Sequence, residues 1–141
     1  MKKLKLPFLS ERYTGFTIPK DGTFYVCDHD AVWQITLGPE LMVHETDLAP
    51  YKFVEDRTDF LGLDFEGLRV NSPLLRVGEN TIAYDFNPSL DKVVVEYTIA
   101  GRTGQIEFPI WAQYWFSASF SDDGCYLILA EPNRVDIYEA I

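Results

Sequence analysis

Short apolar or alternating runs with strand character recur along the chain, and no window carries apolar residues at helical spacing over three turns behind a cap. Strands are therefore the predicted elements. Thr23 to Cys27 is β-branched and aromatic, and it follows Asp21-Gly22, a hairpin-turn dipeptide. Val32 to Leu37 alternates and stops at Gly38-Pro39. Thr81 to Phe86 stops at Asn87-Pro88. Lys92 to Ile99 has the strongest strand pattern, and the turn Ala100 to Gly104 leads it into Gln105 to Phe108. The last third gives Phe116 to Phe120, Tyr126 to Ala130 and Val135 to Tyr138, with Ser121 to Gly124 and Glu131-Pro132-Asn133 as the turns between them. Strands at this spacing, separated by turn chemistry, predict one antiparallel all-β domain over residues 1–141. From Gly38 to Gly67 the pattern fades, and the sequence is compatible with a long loop holding a helical turn or with two weak strands.

The elements repeat. Laying Asp21-Gly22 on Asp123-Gly124, an offset of 102, places Ile18 on Phe120, Phe24 on Tyr126, Val26 on Ile128, Trp33 on Val135 and Ile35 on Ile137 without a gap. A third copy starts at Phe86, 34 residues before Phe120, and runs through Val93 to Tyr97 with a longer turn. A fourth, expected near position 52, is weak: Phe53 and Val54 are present but the turn and strand pattern is not clear.

The segment Ser119-Phe120-Ser121-Asp122-Asp123-Gly124-Cys125-Tyr126-Leu127 resembles the middle of a blade in WD-repeat and related β-propellers, and Arg134 to Tyr138 resembles the strand that follows. The Trp-Asp and Gly-His dipeptides of WD repeats are absent. The resemblance implies a meander of blade-like hairpins. Ordinary blades are about 40–50 residues and at least four are usual, so this length implies shortened blades, an incomplete or small propeller, an assembly completed by a second chain, or a sandwich or barrel.

Charge changes the picture next. Twenty-two Asp and Glu stand against twelve Lys and Arg, a formal charge of −10. Such a balance argues against nucleic-acid phosphate and anionic membrane as partners, because both call for basic side chains. Three of the lysines are Lys2, Lys3 and Lys5, followed by an apolar stretch that Pro7 interrupts, too short for a secretory leader. No run approaches a transmembrane length, and Cys27 and Cys125 have no metal-ligand or Cys-x-x-Cys spacing, so a cytoplasmic chain with free thiols is expected.

Candidate chemistry is sparse. Cys27-Asp28-His29-Asp30 groups a thiol, an imidazole and two carboxylates, but the spacing equally describes a strand end and a polar turn, and a metal would need ligands from elsewhere, such as His44. There is no Gly-x-Ser-x-Gly, and Gly62 to Gly67 holds two acids and no lysine, which rules out a phosphate loop; no cofactor is implied. The densest feature is Trp111, Tyr114, Trp115 and Phe116, four aromatics in six residues. Read as a strand, Trp111 and Trp115 share one face and Tyr114 and Phe116 the other, so one set packs inward and the other forms an aromatic platform, or both are buried in a two-sided layer. Acids concentrate between Glu40 and Glu66, balanced only by Lys52 and Arg57.

Two function classes follow. One is a non-enzymatic protein-binding module, similar in composition to small bacterial immunity proteins. It would use Trp111, Tyr114 and Trp115 as contacts and Asp56, Asp59 and Asp64 to steer a basic protein partner. Self-association into a homo-oligomer is compatible with it. The other is a small hydrolase or carbohydrate-binding domain, with Asp28, His29 and Asp30 or another carboxylate pair at its site.

Overall fold

The structure, a computed structural model, describes residues 1–51, 63–68 and 72–140. Asp56 and Asp59 lie outside the described residues. Among those described, the chain forms three antiparallel sheets, none closed on itself. Sheet I comprises β2 (Gly15–Thr17), β3 (Thr23–Cys27), β4 (Val32–Thr36), β5 (Met42–Glu45) and β6 (Phe65–Gly67), in the order β5-β4-β3-β2-β6. Sheet II is the meander β7 (Arg76–Val77), β8 (Asn80–Ala83), β9 (Lys92–Ile99) and β10 (Arg102–Pro109). Sheet III holds β11 (Ser117–Phe120), β12 (Tyr126–Glu131) and β13 (Arg134–Glu139), with β1 (Lys2–Leu4) on its outer edge.

The repeat holds strand for strand. Adding 102 to β2, β3 and β4 lands on β11, β12 and β13, and Gly22 and Gly124 share a φ of +76°. Equal turn chemistry between equal apolar runs produces equal hairpins. The weakly patterned middle contains the short strands β5 and β6, the second of them paired with β2 at Gly15↔Gly67 and Thr17↔Phe65. β1 lacks a strand signature of its own. Its pairing with β13 (Lys2↔Glu139, Leu4↔Ile137) comes from burying Leu4 and setting Lys3 beside Asp136 at 3.3 Å, and it brings the first strand against the last.

Alternation on β12 explains the layering. Ile128 and Ala130 join Val135 and Ile137 in one cluster with Phe16, Phe24, Val26 and Ile35 of sheet I. Leu127 and Leu129 face the other way, into a cluster with Ala118, Phe120, Val93, Val95 and Phe108. Sheet III is thus the central layer, and it reads as near-continuous apolar sequence because both faces are covered. Sheet II has one covered face only, so β9 alternates cleanly, with Val93 and Val95 buried and Glu96 exposed. Phe16, Phe24, Phe108 and Phe120 are fully buried, and each such side chain stabilises the fold by about 1.5–3 kcal/mol. Among the described residues, no helix is long and apolar enough to cross a membrane.

Candidate functional site

Hydrogen bonds within and between sheets mark two ends of the molecule. At one end the tight turns meet. The Asp122 N–H donates to the Pro19 carbonyl (2.9 Å), and the Ala100 N–H donates to Asn80 Oδ1 (3.0 Å). The other end gathers longer segments. The Tyr13 N–H donates to the Pro132 carbonyl (2.7 Å), the Thr14 N–H to Cys27 O (2.8 Å), the Leu68 N–H to Thr14 O (3.0 Å) and the Ile110 N–H to Asp91 O (2.8 Å).

Residues 110–116 are not a strand, so strand parity does not sort their side chains. Trp111 and Tyr114 stand in solvent, 71% and 79% exposed, while Trp115 and Phe116 are buried. Trp111 and Trp115, expected on one face, are thereby separated. Gln113 makes the turn at φ +62°, a left-handed conformation that costs a non-glycine residue about 1–2 kcal/mol. Ile110 at one end packs into the cluster between sheets II and III, with Phe116 at the other end against Tyr84 (5.1 Å between ring centroids). The Glu131 carboxylate, fully buried at the end of β12, accepts the Trp111 N–H through Oε1 (2.7 Å) and the Asn133 N–H through Oε2. Buried anchors and a buried carboxylate therefore hold two exposed aromatics in place.

Beneath this loop lies a cleft of about 410 Å3 between sheets I and III, walled by Tyr13, Leu68, Tyr114, Trp115 and Pro132. Glu11, Arg12, His29 and Asn133 form its polar rim. Tyr13 is held edge-on against Trp33 at 6.5 Å, and burial raises its phenol pKa. Trp115, although 4% exposed, lends the cleft part of its wall. Among the described residues, other hollows open over the solvent-facing surface of sheet II, around Thr81, Glu96 and Gln105 and around Asp85 and Lys92, and over Lys20 and Tyr25 on sheet I. The cleft differs from them in having three aromatics in its wall, Tyr13, Tyr114 and Trp115, where each of the others has one tyrosine.

The Cys27 to Asp30 group resolves into structure. Cys27 ends β3, and burial pushes its thiol up to about 12, so it is un-ionised at neutral pH. Asp28 closes a turn, accepting the N–H of Asp30 (2.7 Å) and Ala31 (2.8 Å) through Oδ1 and the Ser10 hydroxyl (2.8 Å) through Oδ2. That last bond ties the 5–14 arm to sheet I. His29 points to solvent at the cleft rim, and Asp30 pairs loosely with Arg12 at 3.7 Å, both side chains well exposed. Among the described residues no three His, Cys, Asp or Glu side chains cluster to hold a metal ion.

The acidic middle divides. Glu40, Glu45, Asp47 and Asp64 are exposed, whereas Glu66 is fully buried. Glu66 accepts the Ser72 N–H (2.7 Å) and the Ser117 hydroxyl (2.8 Å), joining β6 to sheet III. Burial raises its pKa against the pull of those two donors. Reasoning from sequence missed Glu66 and Glu131, because a buried acid and a surface acid look alike in a list of charges. No family model, curated protein or solved structure matches the chain.

Proposed function

We propose that this chain is a non-enzymatic protein-binding module whose contact surface is the aromatic end. The observation that carries the reading is the fixed display of Trp111 and Tyr114 above a cleft. Exposed tryptophan and tyrosine on a rigid, anchored loop are what dominate binding energy at protein interfaces, since little ordering entropy remains to be lost. Phe8, Leu68 and Leu90 are also exposed, and the segments that carry them belong to the same end. A surface spread over several loops suits a protein better than a small ligand.

The partner is basic. The formal charge of −10 supports this, with exposed Asp64, Glu45 and Asp47 and the acids at 56 and 59 as the steering field. An immunity-like neutralising role in the cytoplasm fits this composition. We also read the three sheets as blade-like units of a small, incomplete propeller, or one that a second copy extends. The strand-for-strand offset and the docking of β1 beside β13 favour that reading. The polar rim of Glu11, Arg12, His29 and Asn133 supports a second reading, a carbohydrate bound against Tyr114 and Trp115.

Affinity capture from the native cell extract tests the main reading. Wild type, the Trp111→Ala/Tyr114→Ala double variant and Asp122→Ala at the opposite end are compared. The expected result is a basic protein retained by wild type and Asp122→Ala, lost by the double variant and released at high salt. Equal retention by all three overturns the proposal. Tryptophan fluorescence that responds to sugars, without protein capture, would select the second reading.

A further inference from the structure

Sheets that do not close have edges, and an edge strand presents a row of N–H and C=O groups that a further strand can complete. Among the described residues most edges are short or covered. β1, β6 and β7 have two or three residues and β5 has four, and β1 also carries Lys2 and Lys3. β11 is buried, and its Phe120 N–H already bonds to Leu74 O (3.0 Å). β10 differs from all of these. It is eight residues long, forms the edge of sheet II, pairs with β9 without a bulge, and carries no lysine and a proline only at its last position.

The hairpin turn fixes which groups of β10 face outward. Ala100 and Gly101 both have positive φ between the opposed residues Ile99 and Arg102, so the Arg102 N–H closes the turn on the Ile99 carbonyl. Bonding then alternates along the strand. The N–H groups of Gly104 and Ile106 face β9, and those of Thr103, Gln105 and Glu107 face away from it. Those three meet no acceptor among the described residues, and all three residues are exposed.

These three positions are symmetric about Gln105. In an antiparallel pair of β10 strands with the axis there, Gln105 opposes Gln105 and Thr103 opposes Glu107, twice. Each outward N–H then meets an outward carbonyl. Moving the axis to Gly104 sets Glu107 opposite the turn residue Gly101. Moving it to Ile106 sets Thr103 opposite Pro109, which has no N–H to return. Moving it to Glu107 puts two carboxylates face to face. The central register instead puts an amide against an amide and a hydroxyl against a carboxylate, with Glu107 already beside Lys92 at 3.3 Å. We propose that β10 is the docking edge for a second copy of this chain, the two strands pairing antiparallel about an axis at Gln105 so that two four-stranded sheets run on as one. The pairing does not depend on the aromatic end and leaves one such end free on each copy.

The test uses the free protein, so it stands or fails separately from partner capture. Sedimentation from micromolar to millimolar concentration should show a dimer. Salt should tighten it, because each copy carries a formal charge of −10, whereas salt releases a basic partner. Amide exchange should become slower with concentration at Thr103, Gln105 and Glu107, while Gly104 and Ile106, bonded to β9 throughout, stay unchanged. Gln105→Lys sets two like charges on the axis and should weaken the dimer by about fivefold or more, although within one chain it faces Glu96. Thr103→Lys changes net charge equally but faces Glu107 of the second copy twice, and should tighten the dimer by about fivefold. Gln105→Pro removes an N–H that makes no bond within the chain and should leave a monomer; if it does not fold, the two lysine variants decide. A monomer at every concentration, as a foreign strand on this edge would predict, overturns the proposal. So does a dimer whose Gln105 amide stays unprotected, or one that both lysine variants move in the same direction.

Discussion

The two ends of this molecule solve the same problem differently. At one, successive strands turn within a few residues, through Asp21-Gly22, Gly78-Glu79, Ala100-Gly101 and Asp123-Gly124. Backbone conformation does the turning there, with a glycine at positive φ in each turn. At the other end, residues 5–14 and 110–116 travel between sheets and 84–91 make a long connection within sheet II, and buried side chains supply bonds that the backbone lacks. Glu131 and Asp28 each accept two backbone N–H groups there. A hairpin turn leaves nothing free to contact a partner. A loop held from beneath by a carboxylate leaves its outer side chains free, and here those are Trp111 and Tyr114.

The comparison is tested hardest at Glu131. Glu131→Ala leaves two backbone donors unpaired and should cost about 2–4 kcal/mol of unfolding free energy. Denaturant melts would show it, and a loss under 1 kcal/mol would mean that the loop is not held from beneath. Trp111→Ala should leave stability within about 0.5 kcal/mol of wild type. It should nevertheless weaken partner binding by about 30-fold or more, as hot-spot aromatics do. Calorimetric titration against the captured partner checks both halves.

At the tight-turn end the backbone is the sensitive part. Gly124→Ala forces a side chain onto φ +76° with its Cβ 3.0 Å from Val77, and about 1–2 kcal/mol should be lost. Partner affinity should not change. The pH response belongs to the cleft end. Because Glu66 has a raised pKa in the folded state, the folded protein binds more protons than the unfolded chain between the two values. Its contribution is fully present below the ordinary carboxylate pKa and is lost as pH rises through the folded value. Unfolding free energies of wild type and Glu66→Gln should therefore diverge with rising pH, wild type falling, and parallel curves would contradict this. The smallest effect is expected from Asp122→Ala, an exposed turn residue, whose stability should stay within about 0.5 kcal/mol of wild type. A larger loss would erase the distinction between the ends.

Much of the tight-turn end was legible in the sequence. β3 and β9 fall where alternation and turn residues put them, and the offset of 102 maps β2, β3 and β4 onto β11, β12 and β13. β1, β2 and β7 were not predicted, and β5 and β6 were legible only as the alternative of two weak strands between Gly38 and Gly67, because two to four residues are too few to show a period. The candidate site was half legible. Aromatic density marked 111–116, but the strand assumption grouped Trp111 with Trp115, and only a folded loop could send one outward and the other into the core.

The sequence by itself determined the antiparallel all-β class, the hairpin repeat and the acidity, since period, turn residues and charge are local or additive properties. Tertiary structure alone decided that sheet III lies between the others, that the first strand docks beside the last, and that Glu66 and Glu131 are buried while neighbouring acids are exposed. Burial depends on which surfaces meet, and those surfaces come from segments as far apart in the chain as Glu66 and Ser117.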